Sequence, residues 1–416
     1  MTREPGKHAL AFIFFTVLID TIGFGIIMPV MPSLLVELTG QTVAQVTLIA
    51  GFLLTTYAVL QFICGPIMGN LSDRYGRRPV LLASLAAFGF DYALMGFAPT
   101  IGWLFLGRAV AGVAGAVYSP AMAYIADVST PEKRAQSFGL VGAAFGVGFI
   151  IGPALGGLLG AEWGARAPFF AAAALAGINF LYGLFVLPES LAPEKRRPFQ
   201  LNRANPVGAF MAFRRYPAIL AIASAVFLWQ LAHQVYPSTW SFFATIRFHW
   251  SEAEIGASLA FVGVLMAFTQ GFLTGKIVPK IEEQRAVMVG VVSGAASMLV
   301  IAFATQSWMA YVGMALGLLQ GLAYPSMNAI MSKQAPPDQQ GELQGGMASM
   351  MSLTTIIGPL LMTQTLGRFS APDAPVYFPG AAFLLATTLA IISLILVSRA
   401  GAKAPASALP EQGAAG

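Results

Sequence analysis

Twelve apolar stretches of about twenty residues each, separated by short polar connections, run the length of this 416-residue chain. A helix of that length crosses the ~30 Å hydrocarbon core of a bilayer, where only helices and closed barrels satisfy their backbone groups, so each stretch reads as a transmembrane helix. They fall at about 8–31, 45–69, 79–98, 101–125, 135–160, 167–187, 218–244, 253–275, 285–304, 308–331, 342–366 and 376–398, and are called spans one to twelve below. The composition agrees, with 57% hydrophobic and only 10% charged residues, where soluble domains carry roughly a quarter charged. The expected fold class is all-α and integral to the membrane, with twelve transmembrane helices.

The first stretch is too long for a cleaved signal peptide and lacks a small-residue cleavage site at its end, so it is expected to stay in the mature protein. A single cysteine, Cys64, excludes a disulfide framework and a cysteine-based metal cluster within one chain, and His8, His233 and His249 are too scattered for a zinc site. The intramembrane residues include no nucleophile with a base and no metal cluster, so an enzyme is not expected. Of the 23 Lys and Arg, nineteen fall on one side of the spans, while Arg166, Arg247 and Arg368 fall on the other and Arg108 lies within a span. That bias places both termini in the cytoplasm and explains the basic balance without a nucleic-acid partner.

The longest connection, 188–217, divides the chain into an N-terminal six-helix bundle (1–187) and a C-terminal one (218–399); the Ala, Pro and Gly tail at 400–416 is expected to be disordered. At an offset of about 206 residues, "TPEKRAQSFGLVGAAFGVGFIIGPAL" (130–155) aligns with "PPDQQGELQGGMASMMSLTTIIGPLL" (336–361), sharing "IIGP". The halves therefore read as a duplication, one of the known transporter plans, with a substrate site at midplane between them. Their charges have diverged: Asp20 meets Val226, Arg108 meets Met314 and Asp91 meets Ser297.

Four features carry chemistry. The loop "GNLSDRYGRRPVLL" (69–82) combines Gly69 for close helix approach, Asp73 suited to a helix N-terminus, Gly76 for a turn, Arg77 and Arg78, and Pro79 for a first helical turn. A topogenic basic loop is the plainer reading of the two arginines. In span four, "GRAVAGVAGA" (107–116) sets Arg108 in an apolar helix beside Gly112 and Gly115. An intramembrane Arg costs at least ~2.5 kcal/mol on insertion scales, so it should face the interior and pair with an acid or with carbonyls. In span five, Gly148, Gly152, Gly156 and Gly160 recur every four residues, with Pro153 and Gly157 beside them, making a flat stripe along which another helix can pack or slide. Finally, Asp20 follows eight residues of which only Thr16 is polar, and Asp91 sits in "FGFDYALMGF" (88–97). Each is either a structural acid bonded to a neighbouring helix or a carboxylate that exchanges protons against a cationic or polar substrate.

These segments resemble the major facilitator superfamily. The 69–82 loop matches its Gly-x-x-x-Asp-x-x-Gly-Arg-Arg/Lys signature, which in that family latches two halves in one of their alternating states. Arg108 matches the span-four Arg implicated in proton movement, and Gly152, Pro153, Gly156 and Gly157 match the "GPxxGG" pattern associated with antiporters. Across residues 8–398, segments such as "YIAD", "APFFAAAALAGINFL", "LPES", "RFHW" and "SLTTIIGPLL" are similar to the tetracycline/H+ antiporter branch. The resemblance implies the superfamily's two six-helix bundles, proton-coupling roles for Asp20, Asp91 and Arg108, and substrate contacts at Gln61, Asn179, Gln230, Gln234 and Gln270. Two residues of the branch are missing: its span-nine Asp falls near Gly294 and its span-eight His on Met266. His233, between Gln230 and Gln234, either compensates as a further substrate contact or is a buried structural residue. The implied activity is proton-coupled export of a small amphipathic drug across the bacterial inner membrane by a monomer, with a metabolite or sugar exporter as the alternative. No cofactor is expected, and magnesium arriving with the cargo as a chelate is left open.

Overall fold

The computed structural model describes residues 7–116, 118–129, 134–199, 217–334 and 340–401. The tail expected to be disordered lies outside them beyond Gly401, as do residues 200–216 of the linker. Among the described residues the chain is helical without a strand, and nine helices are long and apolar enough to cross a membrane, ten if a bent pair counts as one span. The remaining two spans are broken. Span seven divides into Pro217–His233 and Val235–Phe248, and span ten into Ser307–Leu316, a 3-10 segment Gly317–Leu322 and Ala323–Gln334.

The break in span one has a local cause. Span one, read from the sequence as one helix, is Lys7–Ile26 followed after a turn by Met31–Thr39, bent by 48°. Pro29 has no amide to offer the preceding turn, and Pro32 suits the first turn of the new helix. Span eight runs longer than its apolar stretch, as Glu252–Phe268, a π-helical turn Thr269–Leu273 and Thr274–Ile281. Between spans two and three, Gly76 takes φ 106°, a left-handed turn open to glycine at little strain. Glu282, 206 residues later, turns the second half at φ 66° in the corresponding place.

The halves meet at the end of the molecule that bears few basic residues. Three hydrogen bonds cross there: Thr55 Oγ1 to the Ile356 carbonyl at 3.0 Å, Ser241 Oγ to the Met28 carbonyl at 2.9 Å, and Ser33 Oγ to Glu252 Oε1. The span-five stripe serves two partners. A methyl group on Gly148, Gly152 or Gly156 would strike span one, at Thr21, at the Ile22 carbonyl or at the Ile26 carbonyl, whereas one on Gly157 would meet the Glu252 carbonyl of span eight. Pro153 also turns toward span eight, its carbonyl against Gly256. Toward the basic end, methyl groups at Gly65, Gly139, Gly142, Gly271 and Gly275 would meet nothing within 4 Å. The helix pairs two/eleven and five/eight are thus pressed together at the end that bears few basic residues.

Candidate transport site

The first half builds an ion pair inside the membrane. Asp91 lies on helix Arg77–Gly96 and Arg108 on Ile101–Gly115. Arg108 Nη2 donates to Asp91 Oδ2 at 2.8 Å and to Met95 Sδ at 3.1 Å. Asp91 is 0% exposed and Arg108 5%. Opposite charges attract strongly in such a low-dielectric place, but stripping each of water costs several kcal/mol, so the pair is held by geometry more than by net gain. Gly107 makes the geometry possible, because a Cβ there would come 2.5 Å from Asp91 Oδ1 and 2.8 Å from Met95 Cγ. Asp91 Oδ1 and Arg108 Nε have no hydrogen-bond partner.

The guanidinium lies 5.9 Å from the centre of the Tyr57 ring, over its face. Gln61 donates from Nε2 to the Tyr57 hydroxyl and to the Gly115 carbonyl, both at 3.1 Å. Gly112 and Gly115 admit this contact, since methyl groups there would strike the Tyr57 carbonyl and hydroxyl. Spans two, three and four are thereby linked through Gln61, Tyr57, Arg108 and Asp91.

Asp20 stands on helix Lys7–Ile26, partly exposed, with Asn179 Nδ2 of span six donating to its Oδ1 at 3.4 Å. Tyr92 of span three packs against the next turn of the Asp20 helix, where a Cβ on Gly23 would meet its ring at 3.2 Å. Asn179 departs from its expected role. It has no exposed surface, and its amide is occupied by Thr16 and Asp20, so in this state it is closed to cargo.

The second half answers with neutral groups. His233 Nδ1 lies 3.2 Å from the Trp229 carbonyl and Nε2 3.1 Å from the terminal amide of Gln320. A neutral ring fits if Nδ1–H donates to the carbonyl and Nε2 accepts from the Gln320 amide, whose two ends are interchangeable. The Trp229 ring sits 4.2 Å from the imidazole, centre to centre. It also explains the missing span-nine acid, because a Cβ on Gly294 would meet Trp229 Cη2 at 2.5 Å. The indole occupies the room a carboxylate would need. Gln230 and Gln234 are half-buried and Gln270, in the π-helical turn, is exposed. Met266 is 47% exposed.

At the basic end, Arg77 Nη1 pairs with Asp73 at 2.6 Å and its Nε with Asp127 at 3.4 Å. The expectation that Asp73 caps a helix N-terminus is corrected: it belongs to the preceding helix, Val43–Tyr75, and its carboxylate is taken by Arg77. The cap is Glu189 of "LPES", whose carboxylate accepts from the Arg77 amide at 2.8 Å and the Arg78 amide at 3.3 Å. Arg78 Nη2 donates to the Leu184 carbonyl at 2.7 Å, and the Arg197 amide of the linker donates to the Asp73 carbonyl at 3.1 Å. Gly69 lies nearby, a Cβ there coming 4.0 Å from Ser119 Oγ. All these partners belong to the first half and the start of the linker. Residue-by-residue reading did not single out Thr16, Tyr57, Asp127, Glu189 or Gln320. "YIAD" and "LPES" were signals for Asp127 and Glu189, but neither carried a role.

A helical bundle whose two halves repeat one another, with an ion pair buried inside the first, is the architecture of a membrane transporter. The chain belongs to the major facilitator superfamily, whose family model matches residues 13–316 and 247–414. It is 44% identical to the class C tetracycline resistance protein of Escherichia coli, over 86% of this chain and 89% of that protein. It is 35% identical to the class B protein of Escherichia coli, over 94% and 97% of the two chains. Among solved structures, the human organic anion transporter MFSD10 (TETRAN) superposes with a TM-score of 0.68 at 24% identity, covering 94% of this chain and 99% of that one. The chain is accordingly a multi-pass membrane transporter of small molecules rather than an enzyme.

Proposed function

We propose that the chain is a proton-coupled antiporter that exports a small amphipathic drug, tetracycline-like in class, by alternating access. The observation that carries this reading is the sealed Asp91–Arg108 pair in the same half as the partly exposed Asp20. Asp20 is the wetter group, able to meet cargo or a proton from the cavity, while the Asp91–Arg108 pair stores charge behind it. The naming of the curated relatives for tetracycline resistance supports a drug as cargo. The cross-half contacts at the opposite end fit a state open toward the basic, cytoplasmic side of a bacterial inner membrane. The Arg77 network at the basic end is assigned as the latch of the opposite state, and the stripe of span five as its sliding surface. We assign the departures at Gly294 and Met266 to cargo choice.

The driving force is ample, as one charge moved through the membrane potential yields ~2.3 kcal/mol per 100 mV before any pH gradient. In everted vesicles, Asp20→Asn and Asp91→Asn are expected to abolish drug-induced proton release while the protein still reaches the membrane. Full release in both variants rejects the coupling assignment, and drug transport indifferent to a protonophore points to facilitated diffusion.

A further inference from the structure

We infer that Asn179, together with Thr16, is a positioning residue that fixes the carboxylate of Asp20, and is not a contact for cargo. The inference rests on the proton-coupling reading of Asp20. An asparagine amide offers two N–H donors and a carbonyl oxygen with two lone pairs, and here both donors and one lone pair are taken. Its Oδ1 accepts from Thr16 Oγ1 at 3.2 Å, and its Nδ2 donates to the Thr16 carbonyl at 3.3 Å and to Asp20 Oδ1 at 3.4 Å. Thr16 and Asp20 are one helical turn apart on the same face of span one, so a single side chain from span six grips two points of that face.

The grip distinguishes the two oxygens of Asp20. Oδ1 is held by Asn179, whereas Oδ2 has no partner among the described residues and is the atom left for a proton or a cationic group. The amide sits at 0% exposure while Asp20 is partly exposed, so the clamp lies behind the carboxylate, away from the solvent. Span three brings Tyr92 to the neighbouring turn of span one, its hydroxyl 3.2 Å from where a Cβ on Gly23 would stand. Span five contributes no titratable group, meeting span one through Gly148, Gly152 and Gly156. Among the described residues only Asn179 hydrogen-bonds the Asp20 carboxylate, and it therefore sets which way the acid points.

Two measurements on the full-length protein test this. The first needs no drug: infrared difference spectra against Asp20→Asn isolate the carboxyl stretch of protonated Asp20. In Asn179→Ala that band is expected to broaden and move to higher frequency, as a carbonyl does on losing a donor, and Thr16→Val is expected to move it in the same direction by less. An unmoved band in both overturns the inference. The second uses proteoliposomes with tetracycline as the probe, where Asn179→Ala should lower proton-coupled turnover about tenfold with KM within about twofold of the parent, the signature of an interaction outside ground-state binding. In the Asp20→Asn background, adding Asn179→Ala should leave tetracycline counterflow unchanged. A tenfold rise in KM with turnover intact identifies a cargo contact and overturns the inference. Equal loss of counterflow in both backgrounds makes Asn179 a mere packing residue and overturns it too. Coupled transport surviving in Asp20→Asn alone removes the coupling reading itself, whatever Asn179→Ala does.

Discussion

Spans three and four cross in the first half much as spans nine and ten cross in the second, and the two crossings hold different cargo in their centres. At the first, a Cβ on Gly107 would meet Asp91 Oδ1 and Met95 Cγ; at the second, one on Gly313 would meet Ile301 Cγ1 at 2.6 Å and the Ser297 carbonyl at 3.4 Å. Each residue of the second set stands 206 positions after its counterpart. The backbone contact was duplicated and kept, while Asp91 and Arg108 became Ser297 and Met314, both buried and neutral. The basic end repeats the lesson differently. Arg77 and Asp127 pair in the first half; Glu283 and Lys333, again 206 positions on, pair at 2.5 Å with the signs exchanged. The same backbone crossing thus accommodates either a charged or a neutral set of groups.

The sharpest way to break this comparison is to strand one charge. Arg108→Ala leaves Asp91 buried and uncompensated, a loss of ~3–5 kcal/mol, read as a large fall in unfolding temperature in detergent. Copying the second crossing into the first, with Asp91→Ser and Arg108→Met together, should recover most of that stability yet give no drug-induced proton release. A double variant that still releases protons would mean that the ion pair is only structural. Next in size are Gly107→Ala and Gly313→Ala, each overpacking a close crossing by ~1–3 kcal/mol. Both should unfold earlier, and only Gly107→Ala should lower proton release per drug molecule, because only there does the methyl group push a carboxylate.

Smaller effects follow at the neutral site and at the exposed pair. His233→Asn removes the imidazole from Gln320, a hydrogen bond worth ~1 kcal/mol; KM for the drug should rise about fivefold with the proton stoichiometry unchanged. A changed stoichiometry would give the second half a share in coupling. Exposed ion pairs contribute ~0.2–1 kcal/mol at most, so Glu283→Lys or Lys333→Glu should each be mildly harmful and the two together close to neutral in thermal unfolding. If the swapped pair is as harmful as either single change, its signs matter for a contact that forms in another state of the protein.

Much of this was legible from the residues alone. Asp20, Asp91 and Arg108 announce themselves because charge in an apolar run is costly wherever it ends up facing, and Gly112 and Gly115 foretell a close crossing that spans two and four do make. The breaks in spans one, seven and ten were less legible. Proline at 29, 237 and 325 permits a break, but proline is also tolerated within membrane helices, as Pro66, Pro153 and Pro359 show here. Gln320 and Thr16 could not be found, because a neutral polar residue carries little cost on a helix until its neighbour is known. The partners of Asn179 were hidden for the same reason, since an amide serves cargo or carboxylate equally well until its surroundings close around it.

The sequence by itself determined the solvent, the number of crossings, the duplication and the half that carries charge, because these follow from apolar length and composition along the chain. Only the tertiary structure decided which groups meet. Arg108 finds Asp91, Glu189 rather than Asp73 caps span three, and Trp229 fills the place of an absent acid. The reason is physical: hydrophobic burial in a bilayer is set residue by residue, whereas a hydrogen bond or ion pair exists only within about 3 Å of a partner, and helix crossings bring that partner from elsewhere in the chain.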